Sequence, residues 1–209
     1  MFIAEKQSKL TPDKVIKILR QGNETFSNNQ LTVKNTIEHV RYAVKGQYPA
    51  AVILSCFDSR VPVEDIFHCG IGDIFVIRVA GNIVNTDVLG SMEYACNVSG
   101  AKLVMVLGHS GCIAVKLAID DVELGNMTGL LDKIKPSVNR SKAIFKGEIK
   151  SSNPEFLDTV CRTNIERMVN EIRQNSPILK EMEDKGEIKI VSAMYDMHNG
   201  KVEFFPRQS

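Results

Sequence analysis

No stretch of the chain approaches the roughly 20 consecutive apolar residues that a membrane-spanning helix needs. The longest apolar runs, 50–56 and 103–107, have the length of strands. An excess of charge of one sign is equally lacking: Lys and Arg number 26 and Asp and Glu 25, for a formal net charge of +1. That balance argues against nucleic acid or an anionic membrane as the partner. Glu5 and Lys6 interrupt the N-terminus before a hydrophobic segment can form, so no secretory signal is read and a cytoplasmic location is expected. Repeats, low-complexity tracts and linkers rich in Pro, Gly and Ser are missing, and the polar stretch 27–29 is too short to separate domains. Residues 1–209 are therefore read as one domain, with about 1–46 as an N-terminal helical arm. Cysteine is sparse and odd in number, five in all, which fits reduced thiols or metal ligands better than a disulfide framework. What is present is 44% apolar residues, enough for a substantial core and too many for a disordered chain.

Those apolar residues are patterned. Thr11-Pro12-Asp13 marks a helix start, a capping hydroxyl followed by proline at the first helical position, and Val15, Ile16 and Leu19 supply one apolar stripe for a helix over 12–27. Asn35-Thr36 opens a second helix, in which Ile37, Val40 and Val44 recur at helical spacing until Gly46. The first helix ends well before the first strand, so its stripe is expected to cover a neighbouring subunit. Continuous apolar runs at 50–56, 73–80, 102–107 and 187–194 read as strands buried on both faces, and 201–205 follows the turn His198-Asn199-Gly200. Helical patterns at 86–98, 112–121, 127–142 and 154–184, the last broken near Pro177, lie between them. The alternation predicts an α/β fold, a mostly parallel central sheet flanked by helices.

Two segments at strand ends carry chemistry. The first strand runs into Cys56-Phe57-Asp58-Ser59-Arg60, and the strand at 102–107 runs into Gly108-His109-Ser110-Gly111-Cys112. Open α/β sheets place ligands at the C-terminal ends of their parallel strands. Side by side, those ends bring together two thiols and one imidazole, a set suited to zinc with a fourth position left over. Taken singly, each feature has a plain reading: Cys56 as a small buried hydrophobe, His109 as a hydrogen-bonded loop residue, and Asp58-Ser59-Arg60 as a turn followed by an ion pair. Cys112 would also open a helix, whose end favours a thiolate. Cys69, Cys96 and Cys161 show no ligand pattern. Gly70-Ile71-Gly72 precedes a strand, whereas a phosphate-cradling loop must open a helix, so a nucleotide-binding module is discarded.

In motif, order and spacing, Cys56-x-Asp58-Ser59-Arg60, Arg78-x-Ala80-Gly81-Asn82, Ser91-x-Glu93-Tyr94 and Gly108-His109-x-x-Cys112 resemble the beta-class carbonic anhydrase family, in its plant-like and prokaryotic branch. The resemblance extends from Leu19-x-x-Gly22-Asn23-x-x-Phe26 to Tyr195-Asp196-x-x-x-Gly200. It implies Zn2+ held by Cys56, His109 and Cys112, and interconversion of carbon dioxide and bicarbonate. Asp58, paired with Arg60, would either accept a hydrogen bond from the nucleophile at the metal or take the fourth ligand position itself in a closed state. Gln47 matches a residue that contacts the substrate oxygen, and Phe75, Ala80 and Tyr94 match positions lining an apolar carbon dioxide pocket. A homodimer or homotetramer is implied too. His39 is a candidate proton shuttle only because histidine titrates near neutral pH.

The chain departs from the family pattern at Ile113, where glycine is usual after the last ligand, and at Val79, where asparagine is common. It has no tryptophan, and the bicarbonate-regulated subgroup carries one in its inhibitory clasp, so a resting state locked by bicarbonate is not expected. Two further readings keep the zinc. One is hydrolysis of carbon disulfide or carbonyl sulfide, which relatives perform. The other is a low-turnover binding or structural subunit, with Ile113 as its support.

Overall fold

Continuous apolar runs separated by amphipathic segments resolve into a five-stranded sheet with helices on both faces. The computed structural model describes residues 4–30, 32 and 37–206. Its strands are β1 (Ala51–Ser55), β2 (Ile74–Arg78), β3 (Leu103–His109), β4 (Lys189–Tyr195) and β5 (Val202–Phe204), in the order β2-β1-β3-β4-β5. β1 runs parallel to β2 and β3, β3 runs parallel to β4, and only β5 is antiparallel. The helices are α1 (Ala4–Ser8), α2 (Pro12–Ser27), α3 (Ile37–Ala43), α4 (Val63–Ile66), α5 (Thr86–Glu93), α6 (Ile113–Ile119), α7 (Gly125–Asp132), α8 (Lys135–Ile144), α9 (Pro154–Asn175) and α10 (Pro177–Asp184).

Every residue of β1 and β3 is buried, as parallel strands sandwiched between helices must be. Val52 and Leu54 face a core shared with α5, α6, α8, α9 and α10, while Ala51 and Ile53 face a second core that α2 and α4 cover. The expected fold class is therefore present, with strand boundaries shifted by one or two residues.

The N-terminal arm needs correction. Val15 and Leu19 of α2 are buried among Ile53, Phe67, Leu103 and Met105 of the same chain. The stripe of α2 thus serves its own core, not a neighbouring subunit, because the chain between α2 and β1 is long enough to fold the helix back over the sheet. Gln7 of α1 is buried as well and donates to the carbonyls of Pro49 and Ser99, both at 2.8 Å. α3 differs: it buries no residue, and Ile37, Val40 and Tyr42 are exposed. The start expected at Asn35-Thr36 lies outside the described residues.

Two long helical patterns are each split by proline chemistry. The pattern at 127–142 becomes α7 and α8, with Pro136 in the first turn of α8. The pattern at 154–184 becomes α9 and α10, with the Ser176 hydroxyl accepting from the Leu179 amide before Pro177 opens the second helix. For the site, the decisive pairing is β1 with β3, which sets Ser55 opposite Leu107. The segments leaving both strands therefore emerge side by side at one end of the sheet.

Candidate metal centre

Cys56 follows β1 directly, His109 is the last residue of β3, and Cys112 is the N-cap of α6. The parallel register brings all three to one place. The sulfurs of Cys56 and Cys112 are 3.9 Å apart, and they and a His109 ring nitrogen lie within 4.8 Å of one another, all buried. His109 Nδ1 is 3.0 Å from the carbonyl of Ser110. A carbonyl only accepts, so Nδ1 carries the proton and Nε2 presents its lone pair. That Nε2 is buried without a hydrogen-bond partner. A buried lone pair facing two sulfurs is what a cation site requires, and the Ser110 carbonyl supplies the orienting contact usual for a ligating imidazole.

The thiols are electrostatically unequal. Cys56 is lowered, chiefly by its hydrogen bond with the Cys112 thiol and further by the backbone N–H groups of Asp58 and Gly81, against the penalty of burial. Cys112 is pushed well up by the neighbouring Cys56 sulfur and by burial. Two buried sulfurs this close compete for protons, and a divalent cation is the natural species to displace them. Two sulfurs and one imidazole nitrogen form a donor set typical of zinc, so the residues present fit that metal.

Asp58 lies beside this cluster but outside it. Its Oδ2 is 3.9 Å from His109 Nε2, and the carboxylate is turned toward Arg60, whose Nε donates to Oδ1 at 2.9 Å and whose Nη2 donates to Oδ2 at 2.7 Å. The Arg60 amide adds a third bond to Oδ1 at 3.0 Å. This fork holds the carboxyl well below the usual carboxylate range. Arg78, whose motif position carried no role in the sequence reading, braces the same loop by donating to the carbonyls of Asp58 at 2.5 Å and Cys56 at 3.4 Å. Gly81 contributes its amide to the Cys56 sulfur at 3.3 Å. It sits in a short turn, Ala80–Asn82, with φ of 67°. A Cβ there would meet Ile134 Cδ1 at 2.5 Å, so both the conformation and the space call for glycine. Its place in the Arg78–Asn82 motif was the available signal.

The expected substrate residues separate into two groups. Phe75 and Tyr94 come together, with ring centroids 6.2 Å apart, in an open cleft of about 640 Å³ against Val52, Ile77, Gly90 and Ser91. Tyr94 is placed there by an i→i+5 turn over Tyr94–Val98 that continues α5. None of Cys56, His109 and Cys112 lines that cleft. Ala80 is next to Gly81 in the turn beside Cys56, and Gln47 is exposed in the segment before β1. His39 is half-buried on α3. Ile113 is the first residue of α6 and 56% exposed, so its side chain meets open space and does not crowd the donors. Cys69, Cys96 and Cys161 are buried outside the donor cluster; burial pushes Cys96 and Cys161 up to about 12.

The family model described as carbonic anhydrase matches residues 51–202. The chain is 32% identical over 193 residues to a carbonic anhydrase of Mycolicibacterium smegmatis, with 90% of each chain covered. It is 31% identical over 191 residues to carbonic anhydrase 2 of Mycobacterium tuberculosis, with 88% of each covered. Among solved structures, a tetrameric beta-carbonic anhydrase from the filamentous ascomycete Sordaria macrospora superposes with a TM-score of 0.70 at 22% identity, covering 81% of this chain and 86% of that one. At that identity the likeness speaks to the fold.

Proposed function

The chain belongs to the beta-class carbonic anhydrase family, and on that premise we propose that it catalyses the reversible hydration of carbon dioxide to bicarbonate and a proton, with zinc held by Cys56, His109 and Cys112. The observation that carries the reading is the buried, unpartnered Nε2 of His109 facing two sulfurs 3.9 Å apart. When bound, zinc supplies a Lewis acid that lowers the pKa of water from its bulk value toward neutrality.

The protein's own groups do the rest. Asp58 is an acceptor beside the fourth position, ionised throughout the working pH range because Arg60 holds it so. The fork also turns the carboxylate away from the donors and leaves that position open to substrate. Arg78 keeps the Asp58 loop from collapsing onto the cluster by pinning its two carbonyls. Carbon dioxide is small and nearly apolar, so its pocket needs apolar walls, for which Phe75, Ala80 and Tyr94 are the candidates, with Gln47 as a polar contact to the substrate oxygen.

A homo-oligomer, dimer or tetramer, completes this pocket. β2 is an edge strand of half-buried apolar residues, Tyr94 is 50% exposed, and Val98, Phe57 and the apolar residues of α3 are exposed as well. An apolar edge of this kind calls for a covering partner, and a second copy would bring the Phe75–Tyr94 cleft toward the donors. We read residues 1–209 as one domain, because both cores draw on the same strands. No helix among the described residues is long and apolar enough to cross a membrane, and a cytoplasmic location agrees with five buried cysteines that form no disulfide there.

Stopped-flow measurement of carbon dioxide hydration by protein of known zinc content tests the reading. Turnover that scales with zinc occupancy supports it; zinc-loaded protein that leaves carbon dioxide untouched overturns it.

A further inference from the structure

The two buried polar residues Ser137 and Asn164 take no part in the reaction as described, yet they lead to it. Asn164 is on α9 and Ser137 is on α8, and each is 1% exposed or less. The Ser137 hydroxyl donates to Asn164 Oδ1 at 3.1 Å, and Asn164 Nδ2 donates to the Gly81 carbonyl at 2.9 Å. Gly81 in turn aims its own amide at the Cys56 sulfur at 3.3 Å. Residues on either side of Asn164 along α9 make contacts nearby. Met168 Sδ accepts from the Val84 amide at 3.2 Å, and Cys161 lies in backbone contact with Cys112.

Gly81 has two groups to place and a left-handed conformation to keep, with φ of 67° and ψ of 17°. Glycine crosses to other conformations at little cost, so nothing intrinsic to the residue holds its N–H on the sulfur. The Asn164 amide supplies that constraint: by fixing the carbonyl it fixes the ψ of Gly81, and with Ile134 packed against Cα the N–H has one direction left. Ser137 then fixes which way the Asn164 amide faces, since its hydroxyl donates to the oxygen and leaves the nitrogen for Gly81.

We propose that Asn164, oriented by Ser137, is a positioning residue that holds the Gly81 amide on the Cys56 sulfur and so sets the donor strength of that ligand toward the bound metal. The proposal rests on the metal reading of Cys56, His109 and Cys112. A hydrogen bond to a ligating thiolate withdraws charge from the sulfur and holds its orientation, and outer contacts of this kind are worth about 10- to 100-fold in metal affinity.

The test substitutes cobalt(II) for zinc and reads the sulfur-to-cobalt charge-transfer band, the metal affinity by competition with a chelator, and the thermal midpoint. In Asn164→Leu the band moves to longer wavelength, because the sulfur has lost a donor, and affinity falls about tenfold. Ser137→Ala moves both in the same direction by less, and it decides the question alone if the leucine variant does not fold. Ser141→Ala is the control. It removes the equally buried hydrogen bond from Ser141 to Thr163 at 3.0 Å in the same helix pair, and it lowers the midpoint while leaving band and affinity unchanged. A band and affinity unmoved in both Asn164→Leu and Ser137→Ala, or moved as far in Ser141→Ala, overturns the positioning role. Wild-type protein that takes up no cobalt overturns the metal reading itself, and this role with it.

Discussion

Asn23 and Val202, 179 positions apart in the chain, are joined by a 2.8 Å hydrogen bond from the Val202 amide to Asn23 Oδ1. The same side chain donates to the carbonyls of Gly200 at 2.9 Å and Ile66 at 3.2 Å. One buried amide thus ties α2 to the end of α4 and to the β4–β5 hairpin. Asn23→Ala strips partners from three backbone groups, each costing about 1–3 kcal/mol if left unsatisfied in the interior, and water entering the gap offsets part of the sum. A net loss of about 2–4 kcal/mol in denaturant unfolding is expected, with metal content per folded chain unchanged because none of these groups reaches the donors.

Cys56→Ser and Cys112→Ser each remove a sulfur from a three-donor set, and the metal content of freshly purified protein should fall to near zero in both. Cys96→Ala is the contrasting variant. Its thiol is buried, outside the donor cluster and pushed up to about 12 by desolvation, so metal content should match wild type. Elemental analysis distinguishes these outcomes, and equal metal in Cys56→Ser and wild type would place the ion elsewhere.

Asp58→Asn keeps the size of the side chain and loses its charge. At equal metal content a fall in kcat of about 100-fold is expected, since the side chain loses its charge and one of its two acceptor oxygens, replaced by an NH2 that can only donate. Arg60→Ala should lower activity as well, by releasing the carboxylate toward the open position. Its effect on stability has a definite pH sign. Arg60 lowers the carboxyl of Asp58 below its value in the unfolded chain, so the contribution of the pair is present above the unfolded pKa of about 3.9 and disappears as pH falls through the depressed folded value. The difference in thermal midpoint between wild type and Arg60→Ala should be constant near neutrality, worth on the order of 1 kcal/mol because solvent screens the half-exposed arginine, and should vanish in strong acid. A difference that grew on acidification would contradict the assigned sign.

Two thiolate donors cancel the charge of a divalent ion, which leaves it less electrophilic than one held by three neutral imidazoles. The activity profile between about pH 6 and pH 9 should therefore rise through a limb above the value of about 7 found at three-histidine sites. A flat profile would dissociate turnover from the metal.

Val98→Asp puts a charge on the exposed apolar surface next to Tyr94 without touching a donor. Sedimentation should show smaller assemblies, and kcat/KM should fall while metal content stays constant. A monomer with undiminished turnover would mean that one chain holds a complete pocket.

Much of this arrangement could be read from residue order. The convergence of Cys56, His109 and Cys112 and the Asp58–Arg60 fork were legible because strand ends, residue types and a bidentate partner all have short-range signatures. The helix motif Leu19-x-x-Gly22-Asn23-x-x-Phe26 was legible as a pattern but not as a reason. A Cβ at Gly22 would fall 1.9 Å from the Phe67 carbonyl, and Phe26 packs on Tyr195 with centroids 6.4 Å apart, so the motif records how closely α2 lies on its own chain. Those contacts are long-range, and for the same reason the destination of the Val15–Leu19 stripe was misread. Asn164 gave no signal at all. A polar residue within a helical stripe reads as a solvated position unless its partner, here the carbonyl of a left-handed glycine 83 positions away, is known.

The pairing of β1 with β3 also dictates an order of assembly. Cys56 and Cys112 are 56 positions apart, and nothing local draws them together. In small zinc modules, closely spaced ligands let the ion organise a chain that is unfolded without it. Here the loop between the sulfurs must close first, and the only strong inducement to close it is burial of Val52, Leu54, Val104 and Val106 in one sheet. Sheet formation therefore precedes metal capture. An ion arriving earlier would meet scattered thiols, so excess metal during refolding is expected to lower the yield of native protein and delayed addition to restore it.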